Sequence, residues 1–399
     1  MVGIYHDDTK VAEFVKDDKK FLIGYKNDAL QKSISLSLPN TKKFYNYEYR
    51  FPPFLESFLP EGYLYEIFKN LLSKEYGYVD DYLIFELLAS NIDARVEFKS
   101  DIKSLEFDVI DIDTILQDDS EDIFNTLVKT FLNKNAISGV QPKTVALLRD
   151  KEKLESKEYI IKTWGSEYPD LALNEYFCLK AVELAGVKIP SVKLSKNARF
   201  LVVEKFTFAK GKILGFEEIL SLMDKNKNSK YSGSYEQVAK IINRYSTQKK
   251  ESMKDYYKIV VMNYLLRNGD AHLKNFGLLF NDDFSSIWLS PAYDIVNTVV
   301  YIHKDKPALT LDGKKIWHSK QKLVEFGQKH CLLSEKEATT CYIECKDALK
   351  QSIENLEEYV VKNPDFKIGK MMIDSWKEAL SEVSIKGVSD ELIGSWREY

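Results

Sequence analysis

Cysteine is scarce in this chain, with four among 399 residues. Four thiols in so long a chain do not make a disulfide framework. Cys341 and Cys345 stand one helical turn apart, a little after His330-Cys331, so a metal site has to be considered. The C-x-x-C spacing of a zinc module is missing, and these positions read as ordinary helix residues. No run of about 18 apolar residues occurs, which argues against a membrane-spanning helix. The N-terminus lacks a signal-peptide pattern, so the expectation is a soluble, cytoplasmic protein. Nor is there a basic excess: 57 Lys and Arg face 61 Asp and Glu, for a formal net charge of -4. Broad nucleic-acid binding by the chain itself would bring a surplus of positive charge.

What is present is a hydrophobic content of 44% and an aromatic content of 13%, ample for a substantial core. The length suits two or three packed units, or one enzyme core with an appended domain. The informative stretch is Asn268-Gly269-Asp270-Ala271-His272-Leu273-Lys274-Asn275-Phe276. It follows a helical pattern over 236–268, in which Tyr257, Val260, Val261, Tyr264 and Leu265 share one face, and Gly269 is placed to end that helix. Asp270 and Asn275 are five positions apart. Phosphoryl transfer needs a carboxylate that can accept or steer a hydroxyl proton and an amide oxygen that can ligate magnesium. The spacing alone is common by chance, and its weight depends on the other parts of such a site.

Those parts can be sought along the chain. Two short strands after Asn275, joined at Asn281-Asp282-Asp283-Phe284, lead to Asp294, placed to bridge magnesium to phosphates. Upstream, Ser138-Gly139-Val140-Gln141-Pro142-Lys143 precedes an apolar strand, and its glycine can bring backbone N–H groups close to phosphates. It holds one glycine, so it matches neither the Walker nor the G-x-G-x-x-G pattern, and taken alone a tight turn entering a strand is the simpler reading. Lys162 ends the apolar strand Glu158-Tyr159-Ile160-Ile161, where a lysine ordinarily snorkels to solvent but could serve as a phosphate cation. Glu175 lies near the start of a helix over 171–185, favouring the helix dipole or pairing with Lys162; Gly186 is placed to stop that helix. Phe200 to Phe206 reads as a buried strand leading into a connector, and 207–236 as a mobile surface loop. From about His318 onward the pattern is helical, interrupted at Pro364 and Gly369.

The first hundred residues look different. Short strands at Val2 to Tyr5, Val11 to Val15 and Phe21 to Tyr25 predict an antiparallel meander. Ser33 to Leu38 alternates and is stopped by Pro39, predicting a further strand with one buried face. Helices are expected near 63–73 and 80–91. The carboxylate-rich stretch 97–122 reads as a solvated linker ahead of a helix near 123–132. No catalytic constellation appears there, so a docking or framework role is the simpler reading.

Taken together, ISGVQPKT, YIIK, NEYFCLKAVELAG, LVVEKF, KYSGSYE, NGDAHLKNFGLL and SPAYDIVNT resemble the HipA family of bacterial Ser/Thr kinases, and ISLSLP and FLESFLPEG resemble its N-terminal part. The likeness runs along nearly the whole chain in the family's order. It implies an α+β, bilobal protein-kinase-like fold, with an N-terminal subdomain at 1–105, a kinase N-lobe at 106–206 and a helical C-lobe at 207–399. By the same resemblance Asp270 is the catalytic base, assisted by His272 and Lys274, and Asn275 and Asp294 are the Mg²⁺ ligands. Lys162 holds ATP phosphates, Ser138 to Lys143 (with Gly139, Val140 and Gln141) form the phosphate loop, Glu204 and Phe206 lie at the adenine hinge, and Glu175 is the structural ion-pair partner. Ser138 is the candidate autophosphorylation site, although Ala136 stands where some relatives carry another serine. Asp294 is followed by Ile295-Val296, so the DFG flip of eukaryotic kinases is not expected. The implied activity is a toxin kinase acting on an aminoacyl-tRNA synthetase, notably the glutamyl enzyme, under a HipB-like helix-turn-helix antitoxin through which any DNA contact would run. A catalytically weak homologue acting within a transcription-repressing complex is the alternative, and a kinase of small molecules is a third reading.

Overall fold

The computed structural model describes residues 1–26, 32–60, 76–102, 112–118, 143–149, 156–163, 168–209 and 211–381, with a few positions between 65 and 73. The meander expected at the start is present as β1 (Val2–His6), β2 (Thr9–Asp17) and β3 (Lys20–Tyr25). Its turns place Asp7, Asp8 and Asp18 at positive φ, a conformation that aspartate tolerates. β4 (Phe44–Glu48) and β5 (Glu97–Ser100) complete an antiparallel sheet in the order β4-β3-β2-β1-β5. Phe14, Phe85 and Phe98 are buried on one another beneath it, joining the sheet to the helix Asp81–Leu88. β5 corrects the linker reading at its start, because Phe98 pairs with Ile4 and supplies core, and Ile112–Gln117 is helical. The helix expected near 123–132 lies outside the described residues.

Ser33 to Leu38 is not a strand. It bends irregularly between two cores, with Ile34 and Leu38 in the N-terminal core and Leu36 in the larger one. Alternation is therefore real, but both faces are buried. The serines turn to a buried carboxylate: Glu217 accepts from the Ser37 backbone N–H at 3.1 Å and from its hydroxyl, and Ser221 Oγ donates to it at 2.7 Å.

A second antiparallel sheet runs β6 (Lys143–Arg149), β7 (Ser156–Thr163), β9 (Phe200–Glu204), β8 (Val192–Leu194). The helix Leu171–Leu184 packs on β8 and β9. Gly186 stops it as expected, at φ +78°, with its N–H on Glu183 O and the Val187 N–H on Val182 O.

The segment 207–236 is built rather than loose. It holds the hairpin β10 (Phe208–Ala209) and β11 (Lys212–Ile213), then β12 (Gly215–Glu218) and the helical turn Ile219–Leu222. β12 pairs with β13 (Gly277–Phe280), which pairs with β14 (Ile287–Leu289). Local polarity suggested surface, yet Glu217 and Glu218 are buried because their partners lie far away in sequence. The helix expected over 236–268 is two, Tyr235–Tyr245 and Lys249–Leu265. Between them Ser246 and Thr247 donate from their hydroxyls to Ile287 O, an alternative to continuing the helix.

Helices Lys320–His330, Glu335–Lys362 and Gly369–Leu380 close the C-terminal side. Gly369 opens the last of them instead of breaking one, and a Cβ there would collide with Val360 and Phe366. The four cysteines are buried free thiols. Among the described residues, no helix is long and apolar enough to cross a membrane.

Candidate active site

A cavity of about 470 Å³ lies where the β6–β9 sheet, the segment Asp270–Asn275 and the N-terminal unit meet. Lys162, Glu175, Phe206, Asp270, Asn275 and Asp294 all line it. Lys162 does not snorkel outward. It is 4% exposed, and its Nζ donates to Glu175 Oε1 and to Asp294 Oδ1. Burial opposes the charge, but the Asp294 and Glu175 carboxylates outweigh it and hold the ammonium's pKa above the usual lysine value.

The loop carrying Asp270 is fixed by its own backbone. The helix ends at Leu265, and Arg267, at φ +60°, makes the left-handed turn that the sequence pattern assigns to Gly269. Gly269 is needed for another reason: a Cβ there would strike Asp305 and Thr298, and its N–H donates to Thr298 Oγ1 at 2.8 Å. Asn268 donates to Asn263 Oδ1 and accepts from the Asp270 N–H at 3.1 Å. The backbone then turns through Leu273–Asn275, where Asn275 Nδ2 donates to Asp270 O at 2.9 Å and reaches Asp294 O at 3.5 Å. One side-chain amide thus ties both acidic residues together through their main chains.

Asp294 has φ +55°, so a non-glycine residue is held in the left-handed region at the cleft. With Nδ2 of Asn275 committed to carbonyls, its Oδ1 is the atom left to act as a ligand. Amide and carboxylate oxygens are the hard donors that Mg²⁺ takes, so Asn275 and Asp294 fit that ion.

His272 and Lys274 are buried and also line the cavity. Lys274 Nζ lies 3.5 Å from Glu218 Oε2. Of the hinge pair, Phe206 lines the cavity and packs on Phe216 and Tyr293 at centroid distances of 5.3 and 5.4 Å. Glu204 ends β9, outside that lining, with its N–H on Ser191 O. Lys143 opens β6, its backbone paired with Lys162. Ser138, Gly139, Val140 and Gln141 lie outside the described residues.

Several contributors are not evident from residue type and spacing. Tyr231 donates to Asp270 Oδ1 at 2.8 Å, and Tyr293 donates to Lys274 O at 2.7 Å. Both lie inside stretches that carry the family resemblance, which is the one signal the sequence offers for them. Glu218 and Asp305 give none. The N-terminal unit is more than a remote framework, since Phe54, Phe58 and Asp93 line the cavity and Lys205 Nζ donates to Asp93 O at 3.1 Å. Its Arg95 also grips the β13–β14 turn, donating to Asp282 Oδ1 at 3.1 Å and lying 4.7 Å from the Phe284 ring centroid.

A small sheet facing a helical body, with lysine, helix glutamate and a carboxylate–amide–carboxylate set between them, defines a kinase-like protein. Comparisons agree. The description "HipA-like C-terminal domain" matches residues 135–353 and "HipA N-terminal domain" matches 2–91. The chain belongs to the HipA family of kinases. It is 28% identical over 185 residues to a provisionally named kinase of Haemophilus influenzae, covering 42% of this chain and 53% of that protein. A provisionally named kinase of Sinorhizobium fredii is 23% identical over 346 residues, covering 78% of this chain and 80% of its own. HipA of Shewanella oneidensis MR-1, solved as a toxin–antitoxin complex with HipB and operator DNA, superposes with a TM-score of 0.70 at 16% identity over 96% of both chains. At that identity the likeness is one of fold.

Proposed function

We propose that this HipA-family kinase is a Ser/Thr protein kinase that transfers the γ-phosphate of ATP to a protein hydroxyl. The observation that carries the reading is the Lys162 ammonium held between Glu175 and Asp294 in the cavity that Asp270 and Asn275 also line. Asp270 takes the acceptor hydroxyl's proton, and Lys162 turns from Asp294 toward the nucleotide phosphates. Asn275 and Asp294 would hold Mg²⁺, and the ion would supply positive charge against the transferred phosphoryl. Phe206 forms an apolar wall for the adenine, with Glu204 nearby at the end of β9, and Ser138 to Lys143 serve as the phosphate loop. Glu175 keeps Lys162 in place, while His272 and Lys274 order the catalytic loop.

In this reading the three parts of the chain are 1–105, 106–206 and 207–399, the protein works in the cytoplasm, and its substrate is an aminoacyl-tRNA synthetase, with the glutamyl enzyme favoured. Phosphorylating it would inhibit translation. A HipB-like antitoxin restrains the kinase and makes any contact with DNA, consistent with the net charge of -4; autophosphorylation at Ser138 is a second control. Phosphoproteomics of cells expressing wild type or Asp270→Asn tests activity and substrate together. Phosphosites dependent on Asp270, on a synthetase and at Ser138, are expected; identical phosphoproteomes contradict the enzyme reading.

A further inference from the structure

Asp270 already holds a hydroxyl. The Tyr231 phenol donates to its Oδ1 at 2.8 Å, and the Tyr231 ring meets the His272 imidazole nearly perpendicular, with centroids 5.2 Å apart. General-base catalysis places an acceptor O–H about 2.6–3.2 Å from the base, so the phenol stands at the distance a substrate hydroxyl takes. Tyr231 lines the cavity yet is 43% exposed, which puts it at the entrance.

The surrounding segment is held at both ends. Near Tyr231, Lys315 Nζ donates to its carbonyl at 3.1 Å, and the Leu273 N–H donates to Lys230 O at 3.1 Å. At the upstream end the fastenings come from the N-terminal unit. Arg50 donates to Asp224 O at 2.7 Å and to Asp224 Oδ2 at 2.5 Å, and the Lys227 N–H donates to Glu56 Oε2 at 2.8 Å. The N-terminal unit therefore grips one end of a short segment whose other end covers the carboxylate.

We propose that Tyr231 is a resident occupant of the acceptor-hydroxyl subsite, kept there by the Arg50–Asp224 fastening, and that a protein hydroxyl must displace it. This rests on Asp270 being the base. With the phenol withdrawn, the substrate hydroxyl oxygen bonds to the γ-phosphorus while the bond from that phosphorus to the β–γ bridging oxygen breaks. ADP leaves, and the hydroxyl proton passes to Asp270. With the phenol in place, Oδ1 of the base is taken, so water or a passing hydroxyl must compete with the phenol for it, and the subsite favours a polypeptide segment that can push the ring aside.

The experiment compares wild type, Tyr231→Phe and Arg50→Ala by phosphate release from Mg·ATP without protein substrate, alongside separately measured nucleotide affinity. Losing one hydrogen bond that competes for the base should raise hydrolysis roughly tenfold in Tyr231→Phe. Arg50→Ala, which leaves the phenol intact, should raise it in the same direction by less, with ATP affinity unchanged in both. If Tyr231→Phe fails to fold, Arg50→Ala carries the test with the same sign. Hydrolysis that falls, or does not move, overturns the proposal and makes Tyr231 a residue that positions Asp270 or a bystander. A wild type that binds no Mg·ATP fails the underlying kinase reading instead, and the affinity measurement identifies that case.

Discussion

Lys162 of β7 donates to Asp294, the carboxylate that follows β14, and so links the two walls of the cleft. The same ammonium donates to Glu175, which is only 1% exposed. In the proposed phosphoryl-transfer cycle the first contact would exchange for nucleotide phosphates and the second would stay.

Replacing Lys162 with Met should separate those roles. The variant buries Glu175 without its cation, a change that costs on the order of 3 kcal/mol. Chemical denaturation should show that loss, and calorimetry should show weakened ATP binding. Lys162→Met/Glu175→Gln should recover most of the stability without recovering the binding.

Asp294 sits at φ +55°, which aspartate and asparagine tolerate and β-branched residues do not. Asp294→Asn should keep the wild-type fold while abolishing transfer and weakening Mg²⁺ binding. Asp294→Val should lose about 1–2 kcal/mol in addition, from backbone strain. Equal thermal midpoints for the two variants would contradict this.

Gly269→Ala should act on the catalytic loop without touching a charged group. Its Cβ meets Thr298 and Asp305, so the loop must shift, at about 1–3 kcal/mol. Activity should fall with stability, because Asp270 is the next residue. An unchanged turnover rate would show that the Gly269–Thr298 contact does not position the base.

Glu217 gives a pH dependence. Burial raises its pKa above the usual glutamate value, against the lowering effect of hydrogen bonds from Ser37 and Ser221. The folded state thus holds the proton more tightly than the unfolded one. Its contribution to stability is complete below the ordinary glutamate pKa and is lost as pH rises through the folded value. Glu217→Gln should therefore gain stability relative to wild type as pH rises above the ordinary glutamate pKa, read by denaturant midpoints across a pH series. A difference independent of pH would mean that Glu217 is not protonated differently in the two states.

The sequence carries the cleft residues further than it carries their surroundings. Asp270, Asn275, Lys162, Glu175 and Asp294 are legible because each is a distinctive residue type in or beside a strongly patterned element, and all five line one cavity. Pattern and structure agree on β1 to β3 and on Leu171–Leu184, apolar stretches set off by polar turns or by Gly186. They part where partners are distant. Ser33 to Leu38 alternates, yet its apolar residues are divided between two cores, and β12 looks polar because Glu217 is satisfied by Ser37 and Ser221 and Glu218 by Lys274. Tyr231 is visible only as part of a motif, since nothing in KYSGSYE says that its phenol folds back onto Asp270.

The kinase assignment stands or falls on transfer of labelled γ-phosphate from Mg·ATP to protein, by purified wild type and by Asp270→Asn. Wild type should label itself or a protein in a cell extract, and the substitution should lower that rate roughly 10²–10⁴-fold while ATP binding persists. A wild type that binds ATP but labels nothing, or an Asp270→Asn variant that labels equally well, would contradict it.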